Sequence, residues 1–146
     1  MKKIGEYTVR GQLPKETTER IQLFDGKFDT GYRIVRFEVA PQSVSSAADA
    51  YAKLATTDEA TGDGDVWNWD SNIEIAWARF SAAGSGTNGM YEAFIDPDNM
   101  IIEDLYIYSG SADPADAPVN YMVHLEKYDI TDWQGALTMV RNRSQA

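Results

Sequence analysis

"TGYRIVRFEVAP", residues 30–41, decides the fold class. Val35, Phe37 and Val39 fall on one face and Arg36 and Glu38 on the other, the period-two alternation of a half-buried strand rather than the three-to-four spacing of a helix. Pro41, with no N–H to give to a ladder, closes the run. On the N-terminal side, "KIGEYTVRGQL" (3–13) sets Ile4, Glu6, Thr8 and Arg10 against Tyr7 and Val9 and stops at Gly11 and Pro14. "ERIQLFDGKF" (19–28) reads as a short strand that ends in the Asp25-Gly26 turn signal.

On the C-terminal side, "AADAYAKLA" (47–55) suits either a turn or two of helix or a strand led by Tyr51 and Leu54, and the strand is preferred. "NIEIAWARFSAA" (72–83) resumes the alternation, with Ile73, Ile75 and Trp77 on one face and Glu74, Ala76 and Ala78 on the other. Tyr91 to Ile95 and Met100 to Tyr108 read as a hairpin across the turn "DPDN", where Pro97 fixes φ and Asp96, Asp98 and Asn99 bond the local backbone. In "VNYMVHLEKYDI" (119–130), Val119, Tyr121, Val123 and Leu125 share a face. About eight strands separated by turn signals, without crossover helices for a parallel sheet, predict an all-β fold: an antiparallel β-sandwich or jelly-roll-like barrel.

The period changes at the end of the chain. In "TDWQGALTMVRNRSQA" (131–146), Thr131 and Gln134 make a capping box, and Trp133, Ala136, Leu137 and Val140 recur at helical spacing. Arg141 and Arg143 suit the negative end of the helix dipole. Residues 1–130 are thus expected to form the sandwich, and 131–146 a short amphipathic C-terminal helix and tail of the same domain.

Composition narrows the function classes. The 146 residues contain no cysteine, which removes disulfides, thiolate metal sites and thiol nucleophiles. With 13 Lys and Arg against 23 Asp and Glu, the net charge of −10 repels phosphate backbones, so no nucleic-acid partner is expected. No apolar run is long enough to span a bilayer, so no membrane partner is expected either. The two lysines at the start are not followed by the apolar stretch of an export signal.

Catalytic chemistry finds little purchase. The single histidine, His124, lies inside a strand pattern, and neither G-x-S-x-G, a P-loop, G-x-G-x-x-G nor H-E-x-x-H is present. Glu103 and Asp104 are neighbours on a strand and point to opposite faces, while Asp96 and Asp98 are accounted for by their turn. The expectation is a protein that is not an enzyme and has no catalytic, cofactor or metal residues.

Binding is the stronger theme. "TGDGDVWNWD" (61–70) sets Asp63, Asp65 and Asp70 beside Trp67 and Trp69. Counted as an EF-hand from Asp63, Asp65 and Glu74 fall at the third and twelfth positions, but Trp67 and Asn68 occupy the fifth and the sixth, where glycine is needed, so that match fails. For the aspartates a solvated acidic loop is preferred and a looser calcium site stays open; for the tryptophans a sugar-stacking pair stays open, as does a loop that packs them on the sandwich. Trp67 and Trp69 are equally the residue type that anchors protein interfaces.

Three segments, "IGEYTVRGQ" (4–12), "FIDPDNMIIEDLYIY" (94–108) and "NYMVHLEKYDIT" with "GALTMVRNRSQ" (120–145), carry a resemblance that extends over most of the chain. The chain resembles short uncharacterised, capsid-associated virion structural proteins of marine bacteriophages. That resemblance implies a virion structural protein, a capsid jelly-roll or a capsid decoration (cement) protein, assembled in the host cytoplasm and located in the virion. Its implied partners are copies of itself, as a homo-oligomer, and other virion proteins. The expected contacts are the N-terminal strand, Trp67, Trp69, and on the C-terminal helix Trp133, Leu137, Val140, Arg141 and Arg143. The alternative is a glycan-binding β-sandwich module that uses Trp67 and Trp69, with or without calcium at Asp63, Asp65 and Asp70.

Overall fold

In the computed structural model, which describes residues 2–27, 29–42, 49–81, 90–111 and 118–130, the alternating segments become eight strands. They are β1 (Lys2–Leu13), β2 (Thr18–Ile21), β3 (Thr30–Pro41), β4 (Asp49–Ala55), β5 (Glu74–Ser81), β6 (Met90–Ile95), β7 (Leu105–Ser111) and β8 (Val119–Asp129). Every pairing is antiparallel. The strands form two sheets, of three in the order β1-β8-β3 and of five in the order β2-β7-β4-β5-β6. The fold is therefore all-β and sandwich-like, as the alternation predicts, and the Ala-rich segment at 49–55 is a strand. The expected C-terminal helix, with Trp133, Leu137, Val140, Arg141 and Arg143, lies outside the described residues.

Size complementarity closes the core. Strand β3 packs across β4, β5 and β6, and it presents Ile34, Phe37 and Val39 to the buried alanines Ala50, Ala52, Ala76 and Ala78 of the opposing sheet. Small residues on one sheet admit large ones from the other, so the layers can approach closely. Val119, Val123 and Leu125 of β8, with Leu54, Leu105 and Ile107 of the five-stranded sheet, extend the same cluster.

Two bulges correct the expected faces. Leu125 sits opposite Ile34 and His124 opposite Arg36, so Val35 is an extra residue in β3. Ile34 takes the core position, and Val35, expected inside with Phe37 and Val39, is 46% exposed. Val35→Thr is accordingly expected to change unfolding free energy by less than about 0.5 kcal/mol in urea titration. In β5, Leu54 faces Ala76 and Ala55 faces Glu74, so Ile75 is the extra residue. Ile75 joins the core with Ala76 and Ala78, whereas Trp77, expected beside it, turns to the other face of the sheet with Glu74.

The expected hairpin across Asp96–Asn99 is also corrected. The turn forms: Asp96 accepts from Asp98 N at 3.0 Å and from Asn99 Nδ2 at 2.7 Å. The strands on either side do not pair with each other, since β6 bonds to β5, and β7 lies between β2 and β4. Ile101, placed by the hairpin reading in the return strand, instead exchanges two 2.7 Å backbone bonds with Tyr32, which covers the edge of β3.

Acidic side chains pin the end of the sandwich. Burial alone would raise the Asp25 carboxyl, but the Lys127 ammonium, the Thr30 hydroxyl and the Lys27 N–H outweigh it and hold the group at about 2. Burial is likewise overcome at Asp104, which the Leu23 and Phe24 N–H groups and Arg20 hold below the usual carboxylate range. A carboxyl whose folded pKa lies below its unfolded value near 4 contributes stability that is full above that pH and lost as pH falls through the folded value. The melting temperature is expected to fall between about pH 4 and pH 2, where the chain, below its isoelectric point of about 4.4, also gains net positive charge that works against the compact state. A melting temperature that rises steadily down to pH 3 contradicts this.

Candidate functional site

The segment with the aspartates and tryptophans lies on the outer face of the five-stranded sheet, and a buried ion pair holds it there. Lys53 of β4 and Glu74 of β5 have side chains 0% and 1% exposed, with Lys53 Nζ 3.2 Å from Glu74 Oε2. Alternation puts Ala52 and Leu54 in the core and Lys53 on the other face, and the bulge at Ile75 brings Glu74 to that same face. Lys53 Nζ also donates to Thr61 O and Val66 O, each at 2.7 Å. Glu74 accepts from Asn68 N at 2.9 Å, Asn68 Nδ2 at 2.9 Å and Trp77 Nε1 at 3.1 Å. Burial would raise the Glu74 carboxyl, yet Asn68, Trp77 and Lys53 together hold it below its ordinary value. Both charges are thus spent on fastening residues 61–68 to the sheet.

Glycine lets the segment lie flat. A Cβ on Gly64 would fall 2.4 Å from Tyr108 O and 2.7 Å from Ser109 C, so only hydrogen fits between the loop and the β7 backbone. Gly64 N donates to Ser109 O at 3.1 Å, and Trp67 Nε1 donates to Gly64 O at 2.8 Å. Farther along, Trp69 covers Trp77 at 5.7 Å between ring centroids and meets Phe94 at 5.3 Å, while Trp67 meets Phe94 at 6.2 Å. Phe94 reaches the cluster because β6 pairs it with Trp77. Trp69 is 61% exposed and Phe94 41%, and they form an apolar patch beside the β6 edge.

Sequence reasoning located Trp67 and Trp69 but missed Phe94 and the pairing of Lys53 with Glu74. The available signal was a lysine flanked by Ala52 and Leu54 in a strand with a glutamate 21 residues on. Asp63, Asp65 and Asp70 do not gather: among the described residues no group of three or more His, Asp or Glu side chains converges as a metal-ligand set. His124 lies in the outer face of the three-stranded sheet, its Nδ1 3.2 Å from Thr8 Oγ1 and its Nε2 3.5 Å from Glu38. Asp104 accepts from Leu23 N at 2.9 Å and Arg20 Nε at 2.6 Å and is occupied in holding the chain beyond β2.

A second surface is the edge of β1. Its one strand partner among the described residues is β8, and Lys2, Lys3, Ile4, Glu6, Tyr7, Thr8, Arg10 and Gln12 along it are exposed. An extra residue at Ile4 breaks the ladder between Lys3 and Gly5, and from Gly5 to Leu13 the strand is regular.

No helix among the described residues is long and apolar enough to cross a membrane. Comparison of the chain with protein-family models, with curated proteins and with solved structures finds no match in any of the three.

Proposed function

We propose that the chain is a structural component of a bacteriophage particle, a capsid or capsid-decoration protein that binds copies of itself and neighbouring virion proteins. The observation that carries this, beside the resemblance in its sequence, is the exposed aromatic patch that Trp69, adjoining the fastened loop, forms with Phe94 of β6. Trp and Phe are enriched in interface cores, where one such anchor contributes about 2 kcal/mol or more. The patch is pre-formed, because Lys53 and Glu74 hold the loop in place, and a partner need not spend binding energy on ordering it.

Trp69→Ala keeps the buried pair intact and removes a mostly exposed ring. It is expected to lower folding stability by about 1 kcal/mol through the lost aromatic contacts, and to weaken incorporation into virions roughly thirtyfold, the equivalent of about 2 kcal/mol. Mass spectrometry of purified virions checks the proposal directly: a chain missing from them rules it out.

The exposure of Trp69 favours a second role, recognition of a glycan by stacking. Against it, the rings in the cluster meet at 72°, 61° and 49° rather than forming a flat platform. Asn68, between the two tryptophans in sequence, gives its amide nitrogen to Glu74 and Thr61. Sugar binding in a glycan panel that is lost in Trp69→Ala would establish this role instead.

A further inference from the structure

We infer that β1 pairs antiparallel with β1 of a second copy about a two-fold axis through Thr8, joining two three-stranded sheets into one of six. This rests on the reading of the chain as a self-associating particle component. An edge strand presents a row of backbone donors and acceptors, and proteins usually guard such edges with charge, proline or bulges. Here the guard is partial. Lys2, Lys3 and the bulge at Ile4 protect the beginning of β1, and the regular stretch from Gly5 to Gly11 is left open.

That stretch is self-complementary in one register. In an antiparallel pair, residues directly opposite share a face. With Thr8 opposite its own copy, Glu6 lies opposite Arg10 and Arg10 opposite Glu6, two charge pairs on the outer face. Tyr7 lies opposite Val9 on the inner face, where Tyr7 is 50% exposed in the single chain, and Gly5 lies opposite Gly11. Centring the pair on Glu6 or on Arg10 would set like charges face to face. Centring it on Tyr7 or Val9 sets Glu6 opposite Thr8 or Gln12 and leaves the charges unmatched. Glu6 already bonds Lys3 at its own bulge, while Arg10 has no ion-pair partner among the described residues, so the cation from the second copy completes the outer row.

The absence of cysteine from the chain makes the test clean. Thr8→Cys places two thiols about 5 Å apart by Cα, within disulfide reach, whereas Gln12→Cys places them more than about 20 Å apart. Mild oxidation, of the protein in solution and of assembled particles, is expected to cross-link the first variant and not the second. Arg10→Glu is expected to raise the dimer dissociation constant about tenfold by sedimentation, and the double reversal Glu6→Arg with Arg10→Glu to restore it to within about threefold. Circular dichroism confirms that each exposed-site variant stays folded. Failure of Thr8→Cys to cross-link in both settings, or of the double reversal to recover association, overturns the pairing. If wild-type protein still associates in that case, the particle role survives and uses another surface; a chain that is monomeric throughout and missing from virions ends both.

Discussion

Replacing Glu74 with alanine is expected to lower unfolding free energy by about 3–5 kcal/mol. The glutamate is the only charged partner of Lys53 among the described residues, and both side chains are removed from water. Without it the ammonium is left buried with two carbonyls, Thr61 O and Val66 O, for company. Asn68 N and Trp77 Nε1 lose their acceptor in the same step, and an unsatisfied buried donor costs about 1–3 kcal/mol. The protein has little to spare, since single domains are stable by roughly 5–15 kcal/mol. Urea unfolding followed by tryptophan fluorescence reads the change, because Trp67, Trp69 and Trp77 surround the site. A loss below about 1 kcal/mol would show that water enters under the loop and solvates Lys53.

The second large effect is expected at Gly64. Valine there drives its Cβ into the Tyr108 and Ser109 backbone, which belongs to a strand paired on both sides and cannot retreat. The loop must lift instead, breaking the Gly64 N bond to Ser109 O and the carbonyl contacts of Lys53. Overpacking typically costs about 1–3 kcal/mol and the lost hydrogen bond about 1 more. Glu74→Ala and Gly64→Val disrupt one latch from its two sides, so their combined cost should fall short of the sum. Full additivity would mean that the loop and the ion pair are energetically separate.

Much of the fold was legible because its signals are local. The alternation of Phe37 with Arg36 and Glu38, the Asp96–Asn99 turn and the aromatic lead of Tyr51 all act within a few residues. The errors arose where a distant partner decides. Val35 and Ile75 are displaced by the register of β8 and β4, which nothing near them in sequence encodes. Ile101 left its expected hairpin for Tyr32, a residue far away along the chain. The binding surface was legible in part for the same reason: Trp67 and Trp69 announce themselves, but Phe94 joins them only through the pairing of β5 with β6. Lys53 looks like an ordinary surface lysine until the loop is seen to close over it.

The pairing of β1 with β8 has a consequence in time. Lys2 lies opposite Asp129, so among the described residues the three-stranded sheet joins the first strand to the last, and β8 is also the strand that joins β1 to β3. While the chain leaves the ribosome, both β1 and β3 wait with open edges until β8 arrives to fill the place between them. Contacts this far apart carry a large loop-closure entropy and place the folding rate in the millisecond-to-second range of β-sandwiches. During that interval the self-complementary edge of β1 is available to any neighbouring nascent chain, and Lys2, Lys3 and the bulge at Ile4 are what stands against premature association.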